Sequence, residues 1–559
     1  MARMLPRLAA RPALLALAAA LAAPGTAPAA PPPAPATEQF VFFMGGRSFG
    51  SERFTVTSRG DTLLIEGVLL LSEPVERQLT TRTRVLGRDE RLLDYLLTTN
   101  RGDSLGLRVE ADSLRFFAYG PGYGQSRAFG RDGRRPQILD NAVASHLWLL
   151  ARQLARDPQA KTALLALVPQ QSWQGGLERQ APAAASALLE GKTISVQRHS
   201  LTLAGLLTLM DTDAQGRLLS LRVPMQNFEI RRPGYQAEAG AAAAAARKRY
   251  PSEALTVEGG GPALAGLLTL PAESGGPWPA CLLLQGSGPM DKDMTVGPNA
   301  VFAQLADGLA ERGIVSLRFD KRTFVINRDK QDKALYEADN LTLQEEVIDD
   351  ALVAWRLLAS EARADSKRLV ILGHSLGAAA APILAAQIAG TAAPAPAGLV
   401  LLAPPGRDLL SIMLDQYRYL NAQGVVDDEE LERSEYMARR LREGQVGADD
   451  VIFFAKPMYW DSVNFWKPWR DYGDLSAPAL VLFGERDYQI TAPDRATWQG
   501  ALEANPRPGA ELHLLPGVNH LFLHGEGKPG PAEYGMPGEL DEELLDLIAD
   551  WIRSATGGR

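Results

Sequence analysis

Cysteine is nearly absent from this chain. Cys281 is the one cysteine in 559 residues, so no intrachain disulfide can form and a cysteine-based metal site is excluded. It falls in the apolar run 280–284, where a small buried core residue is expected. Histidine is scarce as well. There are six, so chemistry that needs an imidazole has few candidates. No strong charge of one sign is present: the net charge is −8, which argues against a nucleic-acid binder and for a soluble protein. The N-terminal apolar run, 13–23, is too short for a membrane span, which needs about 20 apolar residues.

That run follows Arg3, Arg7 and Arg11 and precedes Ala27-Pro28-Ala29 and Ala34-Pro35-Ala36. The order is that of a secretory signal peptide. Residues 1–36 are therefore expected to be a signal peptide and Pro/Ala tract, and the mature protein to be secreted or periplasmic with no stable membrane span. No cysteine follows the run, which excludes a lipid-modified N-terminal cysteine.

The apolar fraction of 46% allows sizeable cores, and the length implies two or three domains. Residues 37–235 are rich in strand and turn signals, such as 54–57 and 62–65 around Arg59-Gly60-Asp61. Residues 139–155 have apolar positions at helical spacing. A β-rich domain carrying a helix is predicted. It has no paired carboxylates, no Gly-rich phosphate loop and no metal-ligand spacing, and His146 and His199 read as structural. The Ala-rich segment 236–251 reads as a helical linker.

From 252 to 559 strands alternate with helices, which implies a mainly parallel sheet covered on both faces. Its centre is 369–380, an aliphatic run, then Gly373-His374-Ser375-Leu376-Gly377, then an Ala-rich helix. Strand, tight turn and helix around Gly-x-Ser-x-Gly form the context of a nucleophile elbow, with Ser375 at its tip. Residues 407–472 interrupt the alternation with charged helices and then aromatics (Phe453, Phe454, Tyr459, Trp460, Phe465, Trp466, Trp469), as a lid over the C-terminal edge of the sheet would.

A neutral serine hydroxyl needs a base, and the base needs a group that holds its tautomer. With the nucleophile first in the chain, an acid should follow a later core strand and a histidine the last one. Asp487 follows the strand predicted at 479–483, and His520 follows the one at 511–515. Glu485 competes with Asp487 but lies directly after Gly484, near the sheet end, so Asp487 is preferred. His374 is expected to point away into the fold, His513 lies within a strand, and His524 lies beyond His520 in the same loop region. Backbone N–H groups for an oxyanion are expected from Leu376 and from Gly286 or Ser287, just after strand 280–284. Asp291-Lys292-Asp293 reads as a loop fixed by hydrogen bonds rather than a metal site.

Gln285-Gly286-Ser287-Gly288-Pro289-Met290-Asp291-Lys292-Asp293, Gly373-His374-Ser375-Leu376-Gly377, Gly484-Glu485-Arg486-Asp487-Tyr488-Gln489, Asn519-His520-Leu521-Phe522 and the tail from Pro531-Ala532-Glu533-Tyr534 onward resemble α/β-hydrolases. Within these, they are similar to bacterial secreted carboxylesterases of the EstD-like type. The resemblance covers residues 252–559. It implies the α/β-hydrolase fold, Ser375, Asp487 and His520 as the triad, and an acyl-enzyme route for a small-molecule ester. Asp320-Lys321-Arg322-Thr323-Phe324 departs from it, since relatives tend to be Gly-rich there. No cofactor, metal or nucleic-acid partner is implied. A serine peptidase or acyltransferase on the same triad is the alternative, with a glycan- or lipid-binding protein on a scaffold hydrolase fold behind it.

Overall fold

The computed structural model describes residues 36–44, 47–72, 76–87, 89–130, 135–140, 143–156, 164–168, 173–179, 183–203, 206–223, 228–237, 249–259, 261–273, 275–328, 341–426, 428–450, 452–453 and 455–557. The signal-peptide reading and most of the helical-linker reading (238–248) lie outside these residues.

The N-terminal part forms a seventeen-stranded sheet among the described residues. Its first eight strands run as an antiparallel meander from Ala36–Met44 to Tyr123–Gly130, and Ala36–Met44 also pairs with Phe228–Arg231. Alternation sets the two faces: in Arg77–Leu86 every second residue from Leu79 to Val85 is buried and the residues between are exposed. Helix α1, Ala144–Arg156, buries Trp148, Leu149, Leu150 and Leu154 in the same core as Phe40, Phe54 and Tyr95.

Several buried polar groups near the start of α1 pair with one another. Glu52 is fully buried and accepts hydrogen bonds from Ser145 N (3.0 Å) and Ser145 Oγ (2.7 Å). Gly67 makes room for it, since a Cβ there would come within 2.5 Å of Glu52 Oε1. His146 Nδ1 accepts from Asp140 N at 3.1 Å, so its proton sits on Nε2, which donates to Thr83 Oγ1 at 3.2 Å. The histidine is structural, and burial pushes it down to about 3.

The second sheet has eight strands: β1 Ser252–Val257, β2 Leu264–Thr269, β3 Trp278–Leu284, β4 Val315–Phe319, β5 Ala364–His374, β6 Gly398–Leu402, β7 Ala479–Gly484 and β8 Glu511–Leu515, in spatial order 1-2-4-3-5-6-7-8. The strands from β3 to β8 are parallel. β6 and β7 are buried along their whole length, as strands covered on both faces must be. Cys281 in β3 is fully buried, and burial pushes its thiol well up. The cover comes from α2 Val301–Glu311, α3 Asp349–Ser360, α4 Leu376–Ala389 and α9 Glu542–Gly557, which share one core with the sheet. Helix α3 is entered through a π turn, Gln344–Ile348, that buries Glu346, Val347 and Ile348 together. Between β6 and β7 lie α5 Leu409–Asn421, α6 Asp428–Arg442 and α7 Pro457–Phe465, and α8 Ala492–Ala504 follows β7. No helix among the described residues is long and apolar enough to cross a membrane.

Register aligns the carboxyl ends. Leu284 pairs with Gly373, His374 with Leu402, and Gly484 with Leu515. The segments after β3, β5, β7 and β8 therefore leave the sheet at one edge. The N-terminal sheet meets the second part of the chain where Leu207 lies against Gly535, in the turn Pro531–Gly535 after β8; a Cβ at Gly535 would come within 3.0 Å of the leucine side chain.

Glu52 makes the N-terminal part pH-sensitive. Burial raises its carboxyl from 4.5 to about 7. Between these values the folded chain holds a proton that the unfolded chain has lost, so stability falls as pH rises through that window, by about 3 kcal/mol in total. Glu52→Gln keeps acceptor and donor groups for Ser145 and Thr81 without the charge. It should raise the N-terminal melting temperature at pH 8 and change it little at pH 4.5. Calorimetry at both values checks this; an equal shift at the two would show that the carboxyl does not titrate across folding.

Candidate active site

The elbow is built by close approach. A Cβ on Gly373 would lie 2.2 Å from Gly377 O, and one on Gly377 would lie 2.2 Å from Leu284 O and 2.6 Å from Gln285 O. Only glycine fits either position. The chain turns sharply enough that Ser375 adopts φ 53°, ψ −117°, a left-handed conformation that costs a non-glycine residue roughly 1–3 kcal/mol. Ser375 N donates to Leu402 O at 2.8 Å, which anchors the turn to β6. Ser375 also immediately precedes α4, whose first residue is Leu376, so the Leu376 N–H is one of the helix's unpaired N-terminal donors.

His520 is buried in the segment after β8. The Asn519 side chain holds that segment by accepting from Leu521 N (2.9 Å) and Leu523 N (3.3 Å). Asp487 meets the ring: its Oδ2 lies 2.7 Å from His520 Nδ1. Its Oδ1 accepts from Gln489 N (2.8 Å) and Ile490 N (3.0 Å), so each carboxylate oxygen is committed and the group cannot rotate freely. Glu485 is exposed and accepts from Gly517 N at 3.1 Å. A carboxylate that accepts from Nδ1–H leaves Nε2 as the basic nitrogen, and His520 and Ser375 line one cavity of about 250 Å³.

Gly286 and Ser287 line the same cavity. A Cβ on Gly286 would come 3.1 Å from His374 Nδ1 and 3.3 Å from Ser375 Cβ, so the loop after β3 passes directly over Ser375. Ser375, His520, Gly286 and Ser287 are thus together at the sheet edge, with Asp487 behind His520. The Asp291 carboxylate accepts from Thr295 N and Oγ1, both at 2.8 Å, and fixes its own loop. No group of three or more His, Cys, Asp or Glu among the described residues is placed to hold a metal ion.

His374 differs from expectation. It does not point away into the fold. Its Nε2 donates to the backbone oxygen of His520 at 2.7 Å, and the two ring centroids lie 4.7 Å apart. Burial and the neighbouring His520 push it down to about 3, so it is a neutral donor that ties the histidine segment to the elbow. The other histidines are distant from this chemistry: His513 pairs with Glu511 and His524 with Asp541 at the surface.

The insertion also differs in detail. Phe453, Tyr459 and Trp460 pack with Leu410 and Leu414 in a core of the insertion itself. Among the described residues, its share of the cavity wall comes from α5, through Leu409, Ile412, Met413 and Gln416; Phe454 lies outside those residues. Met290, Met294 and Val296 form another apolar wall. Tyr534 and Gln489 close a third side, with Gln489 Nε2 donating to Tyr534 Oη at 2.8 Å. Both stand in segments singled out in the sequence, but nothing in their spacing marked them as neighbours.

Residues 282–529 match the alpha/beta hydrolase family. Over 298 residues the chain is 37% identical to Esterase EstD of Thermotoga maritima; the alignment covers 53% of this chain and 66% of that protein, just under two thirds of its length. Among solved structures the chain is similar to a hyperthermophilic esterase from the archaeon Pyrobaculum calidifontis (18% identity, 56% of this chain, 86% of that one, TM-score 0.38). It is also similar to Est1E from Butyrivibrio proteoclasticus (14% identity, 54% and 96%, TM-score 0.35).

The two carboxylates after β7 should separate on substitution. Asp487→Asn is expected to lower kcat on a p-nitrophenyl ester by about 10⁴, because the wrong imidazole tautomer then faces the serine. Glu485→Gln should cost roughly tenfold or less, as its contact is with a surface turn. Equal losses in the two variants would break the assignment.

Proposed function

We propose that this chain, whose residues 282–529 belong to the alpha/beta hydrolase family, is a serine carboxylesterase acting through an acyl-enzyme. The observation that carries the reading is the 2.7 Å contact of Asp487 with His520 Nδ1, with His520 and Ser375 facing one cavity. The similarity to an enzyme named as an esterase supports the same class.

Ser375 Oγ attacks the ester carbonyl carbon and its proton passes to His520 Nε2. The carbonyl π electrons move to oxygen, where the N–H of Leu376 and one from the Gly286–Ser287 loop hold the charge. Collapse of this intermediate breaks the acyl carbon–alkoxy bond, and the imidazolium protonates the departing alkoxide. A water then gives its proton to His520 and attacks the acyl carbon. The second collapse releases the acid and returns the proton to Ser375. Asp487 holds the ring throughout.

The cavity suggests which esters fit. Among the described residues its lining includes no Asp, Glu, Lys or Arg, and Met290, Met294, Ile412 and Met413 are apolar and adaptable. An acyl group carrying a charge would lose its hydration with no partner in exchange. We take the insertion, through α5, to be a lid over this apolar side. The Arg-rich start and Ala-x-Ala sites support export of the mature protein from the cytoplasm.

A p-nitrophenyl panel tests the reading. Butyrate should be hydrolysed at least tenfold faster, by kcat/KM, than the singly esterified succinate of similar length. Ser375→Ala should abolish both reactions and fluorophosphonate labelling. Unlabelled wild-type protein with no turnover of any ester would sink the esterase assignment.

A further inference from the structure

The loop after β3 is stapled to residues 319–323. Gln285 Nε2 donates to Phe319 O, Lys321 N to Met290 O at 3.0 Å, and Lys292 N to Asp320 Oδ1 at 2.8 Å. The residue at the centre of these contacts is Lys321. It is almost fully buried, 3% exposed, yet it is not part of the cavity lining. Its Nζ donates to Gly286 O at 3.0 Å and to Glu346 Oε1 at 2.6 Å. Glu346 is itself 5% exposed and stands in the π turn, where the Tyr459 phenol of α7 interacts with it.

A buried ammonium costs several kcal/mol of desolvation and needs a partner. Glu346 alone would serve as that partner. The second acceptor is the informative one, because it is the carbonyl of the peptide that joins Gly286 to Ser287. In a trans peptide the C=O and the following N–H point in opposite directions. A C=O held toward Lys321, behind the loop, turns the Ser287 N–H away from Lys321 and toward the side on which Ser375 lies. The same contact polarises the peptide and strengthens that N–H as a donor.

We propose that Lys321, held by Glu346, is a positioning residue for the oxyanion site: it fixes the Gly286–Ser287 peptide so that Ser287 N–H, rather than Gly286 N–H, partners Leu376 N–H. This rests on the esterase reading and assigns part of its machinery to a residue that touches no substrate. The segment Asp320-Lys321-Arg322-Thr323-Phe324 thereby acquires a function. Arg322 pairs in bidentate fashion with Asp350 (3.0 and 2.9 Å) and anchors the segment from the other side.

The test uses the full chain carrying Lys321→Met together with Glu346→Gln. The double change leaves no unpaired buried charge, so the fold is not asked to hold one. The expected result on p-nitrophenyl butyrate is a kcat loss of about 10²-fold, the scale of one lost oxyanion donor, with KM within threefold. Affinity for a trifluoromethyl ketone, whose serine adduct carries the oxyanion, should fall by a similar factor, while affinity for the product acid stays within threefold. A double variant that keeps kcat and ketone affinity within threefold of wild type overturns the proposal. So does an equal loss of ketone and product affinity, or a variant that does not fold, since either assigns the pair a purely structural role. Wild-type protein that fails to label with fluorophosphonate would instead overturn the esterase reading.

Discussion

The contact between Gly377 and the end of β3 is the constraint on which the site depends. Helix α4 starts so close to Leu284 O and Gln285 O that no side chain fits between them. That approach does two things at once. It lets the chain reverse between β5 and α4, which raises Ser375 into its strained position. It also sets the N-terminus of α4 against the loop that leaves β3. A Cβ at Gly377 would push Ser375 away from the loop that leaves β3.

Around that contact the polar groups form two restraint systems. His374, Asn519 and Asp487 restrain the histidine, through a donor to its backbone oxygen, a carboxamide that caps its loop, and a carboxylate on its ring. Lys321, Glu346 and Gln285 restrain the loop over the serine. Each system is built from buried groups that make specific hydrogen bonds. A polar group misplaced in such an environment would remain unsatisfied, which favours a single arrangement. Precision at the site thus comes from groups that do not themselves react.

The N-terminal sheet meets the second part of the chain at the segment Pro531–Gly535. Leu207 lies against Gly535, and the adjacent Tyr534 lines the cavity and receives the Gln489 side chain. Asn299 Nδ2 donates to Tyr534 O at 3.1 Å, tying the same segment to the start of α2.

The sequence by itself determined the order of elements from 252 onward, the elbow, and the positions of Ser375, Asp487 and His520. These were readable because each depends on local chain direction: parallel strands bring their carboxyl ends to one edge, so a residue's place after its strand predicts its place in space. Preference for Asp487 over Glu485 followed from the same local geometry. Only the tertiary structure decided the contact of His374 with the His520 backbone, the π turn that opens the helix before β5, the packing of Phe453, Tyr459 and Trp460 in a core of the insertion, and the grip of Lys321 on Gly286. Each of these depends on a partner far away in the chain: His374 and His520 are 146 residues apart, and Lys321 and Gly286 are 35 apart. No periodicity or motif encodes such a meeting. It is set by how loops of particular length cross one another after the sheet has formed, and by the need of each buried polar atom to find a partner there.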